Sequence, residues 1–133
     1  MLTVDPIQVL QRAQQLLEHG WIAGHEALTK DGKSVLPWDE RADAWCVLGS
    51  VRAVTYLLDE QNEPQNTQYI MSVISIANPS LLTHDVPAQY KHAGYGYVEQ
   101  ENDQSANGQQ RAIQMVRNAY HFIVKHPPKV ASH

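Results

Sequence analysis

Between Asp39 and Leu58 the chain is apolar on two sides of a helix, and no other segment restricts the fold so much. Ala42, Trp45, Cys46, Gly49, Ala53, Tyr56 and Leu57 recur at helical spacing as one stripe. Val47, Leu48, Val51, Val54 and Leu58 make much of a second. A helix with one apolar stripe can lie on a surface, whereas a helix with two has to be covered by neighbours. The spacing therefore predicts a central helix over 39–58. Ala42, Cys46, Gly49, Ser50 and Ala53 form a seam of small residues along it, where another backbone can come close. The run 44–58 carries Arg52 in its middle and falls short of the roughly 18 apolar residues of a membrane span.

Three further helices and two excursions are legible around it. Asp5-Pro6 is a helix start, an N-cap acceptor followed by a residue without an N–H to orphan, and Val9, Leu10, Ala13, Leu16 and Leu17 supply the stripe. Gly20 stands where a left-handed C-cap is expected. Asp31-Gly32, between Ala27-Leu28-Thr29 and Ser34-Val35-Leu36, predicts a small β-hairpin or irregular excursion. Asn66 or Thr67 is expected to cap a third helix, with Glu60 to Gln65 as a polar link and Asn78-Pro79 as the stop. Residues 80–101, with Pro87, Gly94 and Gly96, predict a long irregular segment that has room for a short helix over 81–90. A last helix follows Ser105 or Asn107, uses Ala112, Ile113, Val116, Ala119, Tyr120 and Ile123, and ends at Pro127-Pro128. The expectation is a mainly α single compact domain of about four main helices, its core over 5–126 and a C-terminal tail over 127–133.

Composition narrows the function classes. A chain of 133 residues holds one core and not two. Ten Lys and Arg against 14 Asp and Glu give a formal charge of −4, the wrong sign for a protein that neutralises phosphates, so no nucleic acid is expected as partner. One Cys excludes a disulfide framework and a multi-Cys zinc knuckle. The N-terminus has no basic region followed by an apolar run, and a cytoplasmic protein without a membrane anchor is expected. Seven His, if all were protonated, would carry the charge from −4 to +3; such a set is either a solvated surface or a pH sensor.

Few residues assemble into recognisable chemistry. Cys46 inside an apolar helix reads as a small buried hydrophobe, and as a nucleophile only if a His reaches it. His84, His92 and Asp103 are of ligand type for zinc or iron, but their spacing matches no defined metal motif. No glycine loop of phosphate-binding pattern occurs, and no cofactor is expected. Two groups resemble site material. Asn102-Asp103, just before the last helix, is placed to cap it and to present a carboxamide and a carboxylate. Trp21, Trp38 and Trp45 flank the excursion, and with Asp39 and Asp43 they either wall a pocket or staple the excursion to the core. Tyr95 and Tyr97 add rings that can stack on a flat ligand. The leading reading is a non-enzymatic cytosolic binding module for a protein or a small ligand, using Trp21, Trp38, Asp39, Tyr95, Tyr97, Asn102 and Asp103. The alternative is a small hydrolytic or metal-assisted enzyme built on His84, His92 and Asp103 or on Cys46. A homodimer meeting through the small-residue seam is a third arrangement.

One family shares this order of residues. Gly20-Trp21, Asp31-Gly32, Asp39 through Ala42 to Trp45-Cys46 and Gly49-Ser50, then Asn102-Asp103, resemble a family of small bacterial and phage proteins known as domain of unknown function 6197. The similarity covers about residues 7–124, and Trp-Cys-x-x-Gly is its most specific piece. Ser50 and Glu101 stand where family members tend to carry Ala and Trp. The resemblance implies an occurrence in bacteria and their phages and brings no activity with it.

Overall fold

Asp5 opens the first helix, α1 (Pro6–His19), as expected: its carboxylate accepts the Ile7 N–H at 3.0 Å, and Val9, Leu10, Ala13 and Leu17 are buried. A computed structural model describes the chain over residues 2–83, 96–104 and 107–130. Gly20 ends α1 in extended backbone, φ −167°, and not in the left-handed cap that its position suggested. Its need for glycine is steric. A Cβ there would lie 2.3 Å from the Asp43 carbonyl oxygen.

The excursion pairs differently from the expectation. The Asp31-Gly32 turn forms, with Gly32 at φ +81° and the Thr29 N–H on the Lys33 carbonyl at 2.9 Å, but the two arms share only a single bridge, Leu28 with Ser34. The two-stranded sheet instead joins β1 (Ala27–Leu28) antiparallel to β2 (Ala44–Trp45), with Ala27 opposite Trp45 and Leu28 opposite Ala44. Periodicity predicts residues 44–45 as part of the central helix. They are extended because partners on both sides claim their backbone: Trp45 N–H donates to Gly20 O at 3.0 Å, and Cys46 N–H donates to Glu26 O at 3.2 Å.

The central helix is therefore shorter than 39–58, running as α2 (Val47–Leu58) with Cys46 at its N-cap. Its two-sidedness holds. Val47, Val51 and Val54 enter the main core, while Ala53 packs with Ala27 and Trp45 in a smaller cluster beneath the excursion. The small-residue seam admits a backbone as expected, and the visitor is Glu26: a Cβ on Gly49 would sit 1.9 Å from its carbonyl oxygen.

A short 3-10 turn, Glu60–Asn62, leads into α3 (Glu63–Ala77), which starts three residues before the expected cap. Pro64, read as part of a link, occupies the first turn, where its missing N–H costs nothing. Asn66 and Thr67 are thereby inside the helix and buried. Asn66 holds the N-terminal segment, accepting Thr3 N–H at 2.9 Å and donating to Thr3 Oγ1 at 2.8 Å. Asn78 ends α3 and also ties it to the last helix, donating to the Met115 carbonyl at 3.1 Å. A second 3-10 segment, Pro79–Thr83, follows; the rest of the expected 81–90 helix lies outside the described residues.

Within the stretch 80–101 that the sequence predicts as irregular a helix begins that the sequence did not announce, α4 (Gly96–Gln104). Asn102 and Asp103 belong to its last turn and do not cap the following helix. That cap position is Asn107, opening α5 (Gly108–Lys125), where Ala112, Met115, Val116, Ala119 and Ile123 are buried. Leu10, Leu17, Ile70, Met71, Ile74 and Ile123 are the largest apolar side chains of the single main core, drawn from α1, α3 and α5. Among the described residues no helix is long and apolar enough to cross a membrane.

Candidate functional site

Among the described residues, Trp21, Asn102 and Asp103 fall into one constellation and Trp38 and Asp39 lie near a second. The first is a junction around Asn102, which is 1% exposed. Its carbonyl oxygen accepts Trp21 Nε1–H at 2.9 Å and the Val47 N–H at 3.1 Å, and its amide donates to Ile22 O at 3.3 Å and to Asp103 Oδ1 at 3.0 Å. A side-chain amide has two lone pairs and two N–H bonds, so all four positions are used inside the protein. Asp103 in turn accepts the Gly24 N–H at 3.0 Å. Trp21 closes the junction by lying over Gly108, where a Cβ would meet its ring at 2.1 Å. The pair clamps the excursion onto α2 and α5.

Cys46 sits beside this junction, and its setting differs from the expected one. It is the N-cap of α2 rather than an interior residue, and its Sγ accepts the Gly49 N–H at 3.3 Å. A helix N-terminus ordinarily favours thiolate. Here burial dominates and, with the nearby carboxylates of Glu26, Asp103 and Glu99, pushes the thiol up to about 12 against the stabilising Gly49 bond. A nucleophilic thiolate is thus not on offer at neutral pH. We expect a disulfide-exchange reagent at pH 8 to label native protein at least about a hundredfold more slowly than urea-unfolded protein. Because the folded value is raised, the contribution of the protonated thiol to stability is intact below pH 9 and is lost as pH climbs toward 12. Alkaline unfolding should accordingly be steeper for the wild type than for Cys46→Ala, measured by circular dichroism.

The second constellation surrounds Trp38. Its indole lies flat on Tyr56 of α2, with ring centroids 4.0 Å apart and planes 5° from parallel. One turn earlier, Arg52 places its guanidinium carbon 5.1 Å from the Trp38 ring centroid. Arg52 is held from both sides, donating to Glu26 Oε1 at 2.6 Å and, from two nitrogens, to Glu63 Oε1 at 3.1 and 3.3 Å. Burial works against its charge, and the bonds to Glu63 and Glu26 outweigh it, so its pKa is raised. Glu63 is buried and takes a further bond from Thr67, which also bonds Thr55. Tyr56 donates to Glu60, which raises the phenol. Asp39 accepts from the side chain and the backbone of Arg41, and these bonds lower its carboxyl to about 2. Trp38, Tyr56 and Arg52 all remain half-buried.

Among the described residues the three tryptophans have different surroundings. Trp21 belongs to the Asn102 junction, Trp38 to the α2 surface, and Trp45 is buried with Nε1–H on the Pro37 carbonyl at 2.9 Å. Asp43 pairs with His19 at 2.9 Å. His84, His92 and Tyr95 lie outside the described residues, as does the side chain of Tyr97. Among the described residues no three His, Cys, Asp or Glu side chains are grouped to hold a metal ion.

The sequence model of a family of unknown function, DUF6197, matches residues 1–122. The chain belongs to this family. No curated protein and no solved structure matches it. The Trp-Cys-x-x-Gly piece that carries the resemblance to DUF6197 has an architectural account here. Trp45 plugs the small cluster, Cys46 caps α2, and Gly49 makes room for Glu26.

Two features escaped sequence reasoning. Tyr56, Arg52, Glu26 and Glu63 gave no signal beyond stripe and charge, because their contacts join segments far apart in the chain. A groove of about 450 Å³ also opens between α1 and α5, lined by Gln11, Gln14, Gln15, Glu18, Arg117, Tyr120 and His121. A smaller one, about 360 Å³, is bordered by both His121 and His126. Helical geometry sets that pair on different faces, but α5 stops at Lys125 and His126 turns back in non-helical backbone, φ −132° and ψ 66°.

Proposed function

We propose that this chain is a non-enzymatic binding module and that its contact face is the Trp38–Tyr56–Arg52 surface, engaging another protein. The observation that carries the reading is the parallel Trp38–Tyr56 stack clamped under Arg52 while still open to solvent. Trp, Tyr and Arg are the residue types that dominate binding energy at interfaces. Rings already fixed by stacking lose little further freedom on binding, which favours affinity. Two apolar side chains flank the cluster along the chain: Leu36 is 57% exposed and Leu57 is 70% exposed. The α1–α5 groove offers no comparable anchor, since all its lining but Tyr120 is polar or charged. The Asn102 junction spends its hydrogen-bonding capacity internally and supports the face only by fixing the excursion. A cytoplasmic setting in bacteria or their phages belongs to the same reading and draws on the family resemblance and on a free, buried Cys46.

Selection from a displayed library of random peptides tests it. The expected result is a set of peptides whose affinity falls about tenfold or more on Trp38→Ala. Leu57→Glu, at an exposed position outside the stack, should weaken them as well without changing the circular dichroism spectrum. Peptides that bind both variants as well as the wild type, or a selection that yields none, would overturn the reading.

A further inference from the structure

We infer that the segment docking on the Trp38–Tyr56 face is a cationic stretch of a partner protein, bearing Lys or Arg beside an apolar residue. The inference rests on the contact face proposed above and adds the chemistry of what covers it.

It follows from how charge is spent on that surface. Its two guanidinium groups are both engaged internally, Arg41 by Asp39 at 2.9 Å and Arg52 by Glu26 and Glu63 at 2.6 and 3.1 Å. Each guanidinium charge is already balanced by a carboxylate, so an acidic partner gains little net attraction here. The carboxylates exceed the cations: Glu26 and Glu63 bond Arg52 and Glu60 bonds Tyr56, three carboxylates against one arginine, while Asp39 and Arg41, close to Trp38 in the chain, pair with each other. Exposed Glu40 follows Asp39 and adds to the excess. Asp39 stays ionised at any physiological pH. An incoming Lys or Arg therefore meets net negative charge beside the Trp38–Tyr56 rings. The Trp38 and Tyr56 rings supply the apolar contact that a purely electrostatic encounter lacks. Complementary charge of this kind sets which partner is accepted and how fast it arrives.

Two labelled peptides of about twelve residues test the inference alongside the library selection. They share a central Leu-x-x-Leu and differ by carrying four Lys or four Glu. The expected result is that the Lys peptide binds about tenfold tighter than the Glu peptide and weakens as salt rises from 50 to about 300 mM. Its affinity should fall about tenfold on Trp38→Ala and again on the double reversal Glu40→Lys with Glu60→Lys, two exposed positions. Selected peptides that are neutral or acidic yet still depend on Trp38 would overturn the cationic partner and leave the contact face standing. A Lys peptide indifferent to Trp38→Ala and to the charge reversal binds elsewhere, which overturns the inference. Failure of the Lys peptide together with an empty selection would remove both.

Discussion

Gly49→Ala should destabilise the fold by about 3 kcal/mol, although alanine is the better helix former. Gly49 is in the first turn of α2, where exchange for Ala would ordinarily gain up to about 1 kcal/mol. The neighbour decides the sign. A Cβ would be placed 1.9 Å from Glu26 O, 2.7 Å from its carbonyl carbon and 3.1 Å from its Cα. All three are backbone atoms, so no side-chain rotation relieves the overlap. Glu26 O also accepts the Cys46 N–H that begins α2, and moving it away strands a donor beneath the excursion. Gly32→Ala is the control: its φ of +81° penalises alanine by only about 1–2 kcal/mol, and nothing lies within 4 Å of the added carbon. Urea unfolding followed by circular dichroism should rank wild type above Gly32→Ala and Gly32→Ala above Gly49→Ala. A Gly49→Ala protein as stable as the wild type would mean that α2 and the excursion are not in contact at this point.

How far the sequence could be read depends on whether a structural cause is local. α1 and α5 were legible because caps and apolar stripes lie within a few residues of what they specify. The place of α2 at the centre was legible for the same reason, but its start was not. Ala42, Trp45 and Cys46 have helical spacing, and only backbone bonds from Gly20 and Glu26, about twenty residues away, draw 44–46 into extended form. α4 was hidden because it has no stripe to detect: among its described side chains Val98 and the polar Asn102 are the buried ones. The same distinction governs the candidate site. Trp21, Trp38, Asp39, Asn102 and Asp103 stand out as residue types, yet Trp21 meets Asn102 across 81 positions of chain, and Trp38 meets a Tyr56 that lies on the predicted apolar stripe. Composition flags an aromatic or an amide. Whether it is consumed inside the protein, as Asn102 is, or left facing solvent, as Trp38 partly is, depends on partners that only the fold brings near.

Asn102→Ala should cost about 3–5 kcal/mol, because it strands groups in several segments at once. Trp21 Nε1–H and the Val47 N–H would lose their shared acceptor, and the Ile22 carbonyl would lose a donor. Each buried group left without a partner costs about 1–3 kcal/mol, and water entering the space recovers part of that. Asn102→Asp separates hydrogen bonding from volume. The new carboxylate keeps an acceptor for Trp21 and Val47, but it loses the amide donors and places a second negative charge beside Asp103. Burial and that neighbour both raise its folded pKa above the unfolded value of about 3.9. A group shifted in that direction is best tolerated below the unfolded pKa, and its penalty grows as pH rises toward the folded one. The melting-temperature gap between wild type and Asn102→Asp should therefore be small near pH 4 and wide at pH 7, whereas the gap for Asn102→Ala should stay nearly constant. A gap for Asn102→Asp that does not change with pH would place residue 102 in contact with water and remove it from the junction that holds Trp21, α2 and the excursion together.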